Sequence, residues 1–158
     1  MELTAPIQLP GNEAFWKGCE EGRLFLGHCE DCSQPHWYPR SHCPHCGSQR
    51  TDLKQSAGRG TIYSVSITRK AGPIPYAIAY VTLDEGVTLL TQIVDCDLDA
   101  LRIGQRVQLV FKPTAGGAPV WCFVPSMNEP AICHSTPKGT AEELSQTPDG
   151  AALSRLRP

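Results

Sequence analysis

Eight cysteines stand in 158 residues, and four of them, Cys29, Cys32, Cys43 and Cys46, follow the spacing C-x2-C-x10-C-x2-C. Two intervening residues make a tight turn that points both sulfurs of a pair to one side. Ten more are enough for a loop that sets the second pair opposite the first. Four thiolates at about 2.3 Å complete the tetrahedral shell of a structural zinc and leave no position for water or substrate. Gly47, directly after Cys46, suits a turn in which backbone passes close to the sulfurs. Four thiolates can also hold redox iron, but the two pairs of rubredoxin-type iron sites lie much farther apart in sequence, so zinc is the expected ion.

Other groups near the cluster offer less. His28, His36, His42 and His45 could replace a thiolate, but four cysteines already suffice, and the histidines read as exposed loop residues. Cys19, Cys96 and Cys122 show no neighbouring His or Lys pattern of an activated thiol, and Cys133, although followed by His134, sits in the tail. Cys96 and Cys122 read as small buried residues at or within strands. No nucleophile–base pair is evident, so no catalytic residue is expected in this chain.

Clustered thiols hold metal in a reducing compartment. Met1 to Pro10 has no basic stretch leading into an apolar one, so it does not read as a signal peptide, and a cytoplasmic location is expected. No apolar run approaches the roughly 20 residues that span a bilayer, which argues against a membrane partner. Residues 1–53 carry four Lys/Arg against seven Asp/Glu, residues 54–126 seven against five, and residues 127–158 three against four. None has the dense positive field of a nucleic-acid binder, although the mildly basic middle suits a small anionic ligand.

Three regions must position the thiols: 1–53, a helix and the metal ribbon; 54–126, a run of strands; and 127–158, a tail. In the first, Phe15, Trp16 and Cys19 follow Asn12 at the spacing of a short amphipathic helix that stops near Gly22. A strand from Arg23 leads into the first cysteine pair. In the second, "TIYSVSIT" (61–68) alternates, with Tyr63, Val65 and Ile67 on one face. "YAIAYVTL" (76–83) is apolar on both faces, and Asp84-Glu85-Gly86 turns the chain into "TLLTQIV" (88–94). A helical turn within 97–105, stopping at Gly104, precedes "RVQLVF" (106–111), and a Gly-Gly turn precedes "VWCFV" (120–124). Five strands with short connections suggest a small closed barrel, making the fold mainly β. The tail, rich in Pro, Ser, Thr and Gly, reads as flexible or ordered by a partner, with a turn or two of helix from Thr140.

Taken in order, "FWKGCEEGRLFLGHCEDC", "YPRSHCPHCGS", "GRGTIYSVSITR", "PYAIAYVTLDEGVTLLTQIV" and "LRIGQRVQLVF" resemble the DUF35 family over about residues 12–126. The resemblance implies a helical segment and rubredoxin-like zinc ribbon followed by a five-stranded OB-fold barrel. Ser33 departs from it, standing where the family commonly has Gly after the first cysteine pair. It further implies an accessory subunit of acyl-CoA enzymes: thiolases, thiolase-like aldolases of sterol side-chain breakdown, hydroxymethylglutaryl-CoA synthase assemblies or acyl-CoA hydratases.

On that basis the expected role is to bind a thiolase-superfamily enzyme and help position its acyl-CoA. Arg59 between two glycines, with Arg69 and Lys70 at the end of the first barrel strand, would pair with nucleotide phosphates. Tyr76 or Trp121 would lie against the adenine, all of them around one barrel mouth. Phe15 and Trp16, with Trp37 and Tyr38 in the loop between the cysteine pairs, are the partner-docking candidates; for Phe15 and Trp16 the competing reading is a place in the core. Two other functions compete with this one: a single-stranded nucleic-acid-binding OB-fold module, and a stand-alone acyl-CoA thioesterase or hydratase.

Overall fold

A computed structural model describes residues 3–8, 11–70 and 74–126; the expected tail helix, Cys133 and part of the 71–75 loop lie outside the described residues. Helix α1 (Glu13–Glu20) forms where the sequence placed it, but Asn12 makes no side-chain cap. Glu13 instead accepts a hydrogen bond from the Gly11 amide at 3.0 Å. At the other end, the Arg23 amide donates back to the Gly18 carbonyl at 2.8 Å, and Gly22 takes φ +72° to allow it. That is the left-handed close of a helix, which favours glycine.

The ribbon is a three-stranded sheet, β3-β2-β4, built from β2 (Phe25–Cys29), β3 (Pro35–His36) and β4 (Thr51–Gln55). Cys29 pairs with Thr51, so the first cysteine sits at a strand end beside the second knuckle's exit. After β4, the buried Ser56 donates to Glu85 at 3.0 Å, and the Ala57 amide donates to the same carboxylate oxygen at 2.6 Å. Glu85 lies in a barrel hairpin, so this carboxylate clasps the crossing from ribbon to barrel.

The barrel strands are β5 (Arg59–Thr68), β6 (Tyr76–Leu83), β7 (Thr88–Ile93), β8 (Arg106–Ala115) and β9 (Gly117–Pro125). A 3-10 turn, Leu98–Ala100, lies between β7 and β8, capped by the Asp97 carboxylate, and Gly104 follows with φ +84°. Pairing runs β8-β5-β6-β7-β9, and β9 returns to β8, closing the ring. All neighbours are antiparallel except β7 and β9, which are parallel. This is the five-stranded OB-fold barrel, with β1 (Leu3–Thr4) added parallel to β8.

Alternation explains the core. Ala77, Ala79, Val81 and Leu83 of β6 face inward with Leu89 and Ile93 of β7, Val107 of β8 and Phe123 of β9. One expectation fails. Tyr63 is 68% exposed, whereas Ile62 is buried. The pairing with β6 skips from Ile62 to Ser64, so Tyr63 is the extra residue of a β-bulge. A bulge reverses the inward–outward alternation, which returns Val65 and Ile67 to the core side.

Candidate metal centre and its surroundings

The four predicted sulfurs converge. Cys29 Sγ lies 3.6 Å from Cys46 Sγ, and Cys32 Sγ 3.6 Å from Cys43 Sγ. All four lie within 4.8 Å of one another. A tetrahedron of sulfurs about 2.3 Å from its centre has edges of about 3.8 Å, so the set fits one zinc with no vacant corner. Each knuckle is tied by backbone: the Cys29 amide donates to Gln34 O at 3.1 Å, and the Cys43 amide to Ser48 O at 2.8 Å. The His45 amide donates to Cys43 Sγ at 3.4 Å.

The two knuckles match in a revealing way. Gly47 has φ +77° and Ser33, one residue after the second thiol of its own pair, has φ +57°. Both therefore occupy the left-handed region, which costs a residue with a Cβ about 1–2 kcal/mol. Ser33 bears that cost, whereas Gly47 at the matching position of the second pair does not.

Protons bind these thiols unevenly. The Cys32 backbone amide, opposed by burial and helped by the Asp31 amide and neighbouring thiols, lowers Cys29 to about 7. The Gln34 amide favours the Cys32 thiolate, but burial and the three other thiols outweigh it and push Cys32 up to about 12. A divalent cation resolves that competition, because all four can then be thiolates.

Outside the cluster the described thiols are poor nucleophiles. Burial, then Glu20, pushes Cys19 up to about 12. Burial pushes Cys122 up to about 11 and, with Asp97 and Asp95, raises Cys96. Of the neighbouring histidines, His42 and His45 are exposed and His28 is half-buried beside Lys54, 3.1 Å away. His36 corrects the expectation of an exposed loop residue: it is 3% exposed, and its ring lies on Gly27, where a Cβ would come within 2.2 Å. Neither ring nitrogen has a hydrogen-bond partner of good geometry among the described residues, although the Arg40 and Gln34 backbone groups lie near enough to favour the charged ring and offset part of the effect of burial. Burial, with the charges of Arg40 and His45, holds His36 below its ordinary value.

The docking candidates and one adenine candidate form a single aromatic junction. Phe15 packs edge-on against Tyr38, Trp16, Trp121 and Trp37, with ring centroids 4.9 to 5.8 Å apart. Trp37 also meets Trp121 at 5.1 Å. Helix α1, the loop between cysteine pairs and barrel strand β9 therefore meet through five rings. Phe15 and Trp16 are 1% and 4% exposed, the core placement that was weighed against docking. Trp37 and Tyr38 are half-buried, and burial pushes the Tyr38 phenol up to about 12. Nothing in the spacing of Phe15, Trp37 and Trp121 signals this junction; only the fold brings them together.

The cationic candidates do not share one mouth. Arg59 begins the ten-residue strand β5 and Arg69 directly follows it, so they stand at opposite ends of that strand, about 30 Å apart along the chain. Arg59 lies 3.9 Å from Asp84, which Arg106 holds with two hydrogen bonds of 2.7 and 2.8 Å. Arg69 pairs with Asp99, and Lys70 is exposed at the end of the strand. Tyr76 and Trp121 do come together, as opposite walls of a cleft of about 600 Å3. A second cleft of about 680 Å3 shares Leu3, Tyr76 and Gln92 with the first and ends at Lys112, which is 2.5 Å from Asp95.

A saturated four-cysteine ribbon joined to an OB-fold barrel defines a zinc-ribbon/OB-fold protein. Two family models agree: one described as ChsH2, rubredoxin-like zinc ribbon domain, matches residues 16–52, and one described as ChsH2, C-terminal OB-fold domain, matches residues 53–112. A DUF35 domain-containing scaffold protein of Methanocaldococcus jannaschii is 30% identical over 105 residues, which cover 61% of this chain and 74% of the relative. The chain belongs to the DUF35 family, and its metal site is the site of a rubredoxin-like zinc ribbon. A probable enoyl-CoA hydratase alpha subunit of Thermomonospora curvata is 35% identical over 103 residues, 62% of this chain but 32% of the relative, so the chain spans about a third of that protein. Among solved structures, the Ltp2-ChsH2(DUF35) aldolase matches with a TM-score of 0.67 and 30% identity, over 76% of this chain and 98% of the other.

Proposed function

We propose that this chain is an accessory subunit that binds a thiolase-superfamily enzyme and helps position that enzyme's acyl-CoA, the bond-making or bond-breaking steps belonging to the partner. The observation that carries this reading is the match over 98% of a chain of the Ltp2-ChsH2(DUF35) aldolase. The chemistry of the site agrees. Zinc held by Cys29, Cys32, Cys43 and Cys46 would supply architecture, since four thiolates leave no corner for a water or a carbonyl oxygen. The ribbon then fixes the loop carrying Trp37 and Tyr38 against α1 and β9.

Tyr76 and Trp121 are the residues of this chain best placed to meet an acyl-CoA, as walls of a mostly uncharged cleft. Arg69 and Lys70 follow Thr68, which pairs with Tyr76, while Arg59 stands at the other end of β5 and falls outside the proposed contact. The single-stranded nucleic-acid alternative meets a barrel whose β6 and β7 carry no Lys or Arg to hold phosphates. The stand-alone thioesterase or hydratase alternative meets thiols raised by burial and a closed metal shell.

The experiment is affinity capture of the tagged chain from its own host, identification of bound proteins by mass spectrometry, and an acyl-CoA assay of chain, partner and complex. The expected result is a thiolase-superfamily enzyme and turnover only where that enzyme is present. Turnover of acyl-CoA by the zinc-loaded chain alone refutes the reading.

A further inference from the structure

Strand β1 is the shortest strand of the barrel sheet and stands at its margin. Leu3 lies opposite Thr114 and Thr4 opposite Ala115, and the pairing ends there. Pro6, two residues on, has no amide to donate to a ladder. By Ile7 the chain has left the barrel, for that side chain is 86% exposed. A close contact seats the segment: a Cβ built on Gly117, at the start of β9, would stand 2.4 Å from the Ala5 Cβ. Yet this small strand helps to form both clefts. Leu3 is common to the cleft of about 600 Å3 and the cleft of about 680 Å3, and Thr4 also lines the first. Leu3 is half-buried and both clefts stand open beside it, so it is a wall and not a plug. The other walls of the first cleft are set in β6, β7 and β9, strands of eight, six and nine residues.

Resting on the reading that acyl-CoA lies between Tyr76 and Trp121, we infer that Leu3–Ala5 is a strap over that ligand. It lifts from β8 to admit the acyl-CoA and closes again with Leu3 covering the bound molecule and Ala5 seated on Gly117. Segments held by few contacts open locally at little cost, and the lids that close over ligands are drawn from them. The barrel itself does not need the strap, because β8-β5-β6-β7-β9 closes without β1. Leu3 to Ala5 bring no charge, so the part of the ligand they cover is the base or an apolar arm, and the phosphates lie outside their span. Leu3 is thus a positioning residue: it confines the ligand between the two aromatic walls.

The test uses the full chain in complex with the captured enzyme, and coenzyme A, common to every acyl-CoA, as the probe. Hydrogen exchange followed by mass spectrometry is expected to slow at residues 3–5 when coenzyme A is added and to stay unchanged at residues 7 and 8. Two variants remove the strap by different routes: deletion of residues 2–6, and Gly117→Val, whose side chain takes the space of Ala5 while lining neither cleft. Ile7→Ser is the control. Covering the exposed half of a leucine side chain is worth about a five- to tenfold change in affinity. Both strap variants are expected to bind coenzyme A that much more weakly by calorimetry, and Ile7→Ser to bind it as wild type does. Tyr76→Ala reports on the cleft itself. If Tyr76→Ala weakens binding while both strap variants match wild type, or exchange at residues 3–5 does not respond, the strap is overturned and the cleft assignment stands. Tighter binding by the strap variants would make the segment a plug and also overturns the inference. If Tyr76→Ala binds as wild type does, the cleft reading fails first and the inference falls with it.

Discussion

Replacing Phe15 by Ala should unfold this chain far more readily without any partner present. The ring is 1% exposed and touches four other aromatic rings, from 4.9 Å at Tyr38 to 5.8 Å at Trp37. Truncating a buried Phe to Ala costs about 3–5 kcal/mol, from lost transfer energy and the cavity left behind. Edge-on ring pairs add about 0.5–1.5 kcal/mol each beyond buried area, and relaxation of the cluster would absorb part of that. A loss of about 4 kcal/mol, with a urea slope of about 2 kcal/mol per molar, moves the unfolding midpoint down by about 2 M. The assay is urea unfolding with zinc in excess, followed by tryptophan fluorescence, since Trp16, Trp37 and Trp121 all belong to the junction. A midpoint shift below about 0.5 M would place Phe15 outside any core and restore it as a surface residue.

Three further outcomes follow from the site. Gly47→Ala should weaken the holo fold by about 1–2 kcal/mol, because φ is +77° while open space surrounds the new Cβ, so the cost is conformational; competition with a chromophoric zinc chelator measures it. Ser33→Gly, by contrast, relieves a left-handed residue but gains unfolded-chain entropy, so the same competition should show a change under about 1 kcal/mol. His36 imposes a pH dependence. Its folded value lies below the ordinary 6.5, so the unfolded chain takes up the proton first; stability is intact above about pH 6.5 and declines as pH falls through the depressed folded value. His36→Leu should flatten that decline in urea midpoints between about pH 7 and 5, and an unchanged profile would show that another group sets it.

The parts of the fold that could be read in the sequence were those whose side chains repeat. β6 spans Tyr76–Leu83, the segment the apolar run marked out, and the cysteine spacing named all four metal ligands. What escaped depends on contacts between distant segments. β3 and β1 are two residues each, too short to show a period, and β4, TDLKQ, is a strand because β2 lies beside it. The bulge at Tyr63 has no local signal, since β alternation continues through it in sequence while the pairing skips. Phe15 and Trp16 can be read from the sequence as core or as docking residues, since the ribbon alone has little interior to hold them; the barrel supplies Trp121 and buries them. Arg59 and Arg69 looked like neighbours in a ligand site because strand length was left out of account.

Zinc-edge X-ray absorption of the purified, zinc-loaded chain, alone and in its complex with acyl-CoA added, bears most directly on whether the metal is a brace. A structural brace gives one zinc per chain with four sulfur ligands at about 2.3 Å and no change when the thioester binds. A nitrogen or oxygen ligand, or a shell that rearranges on adding the thioester, would contradict it.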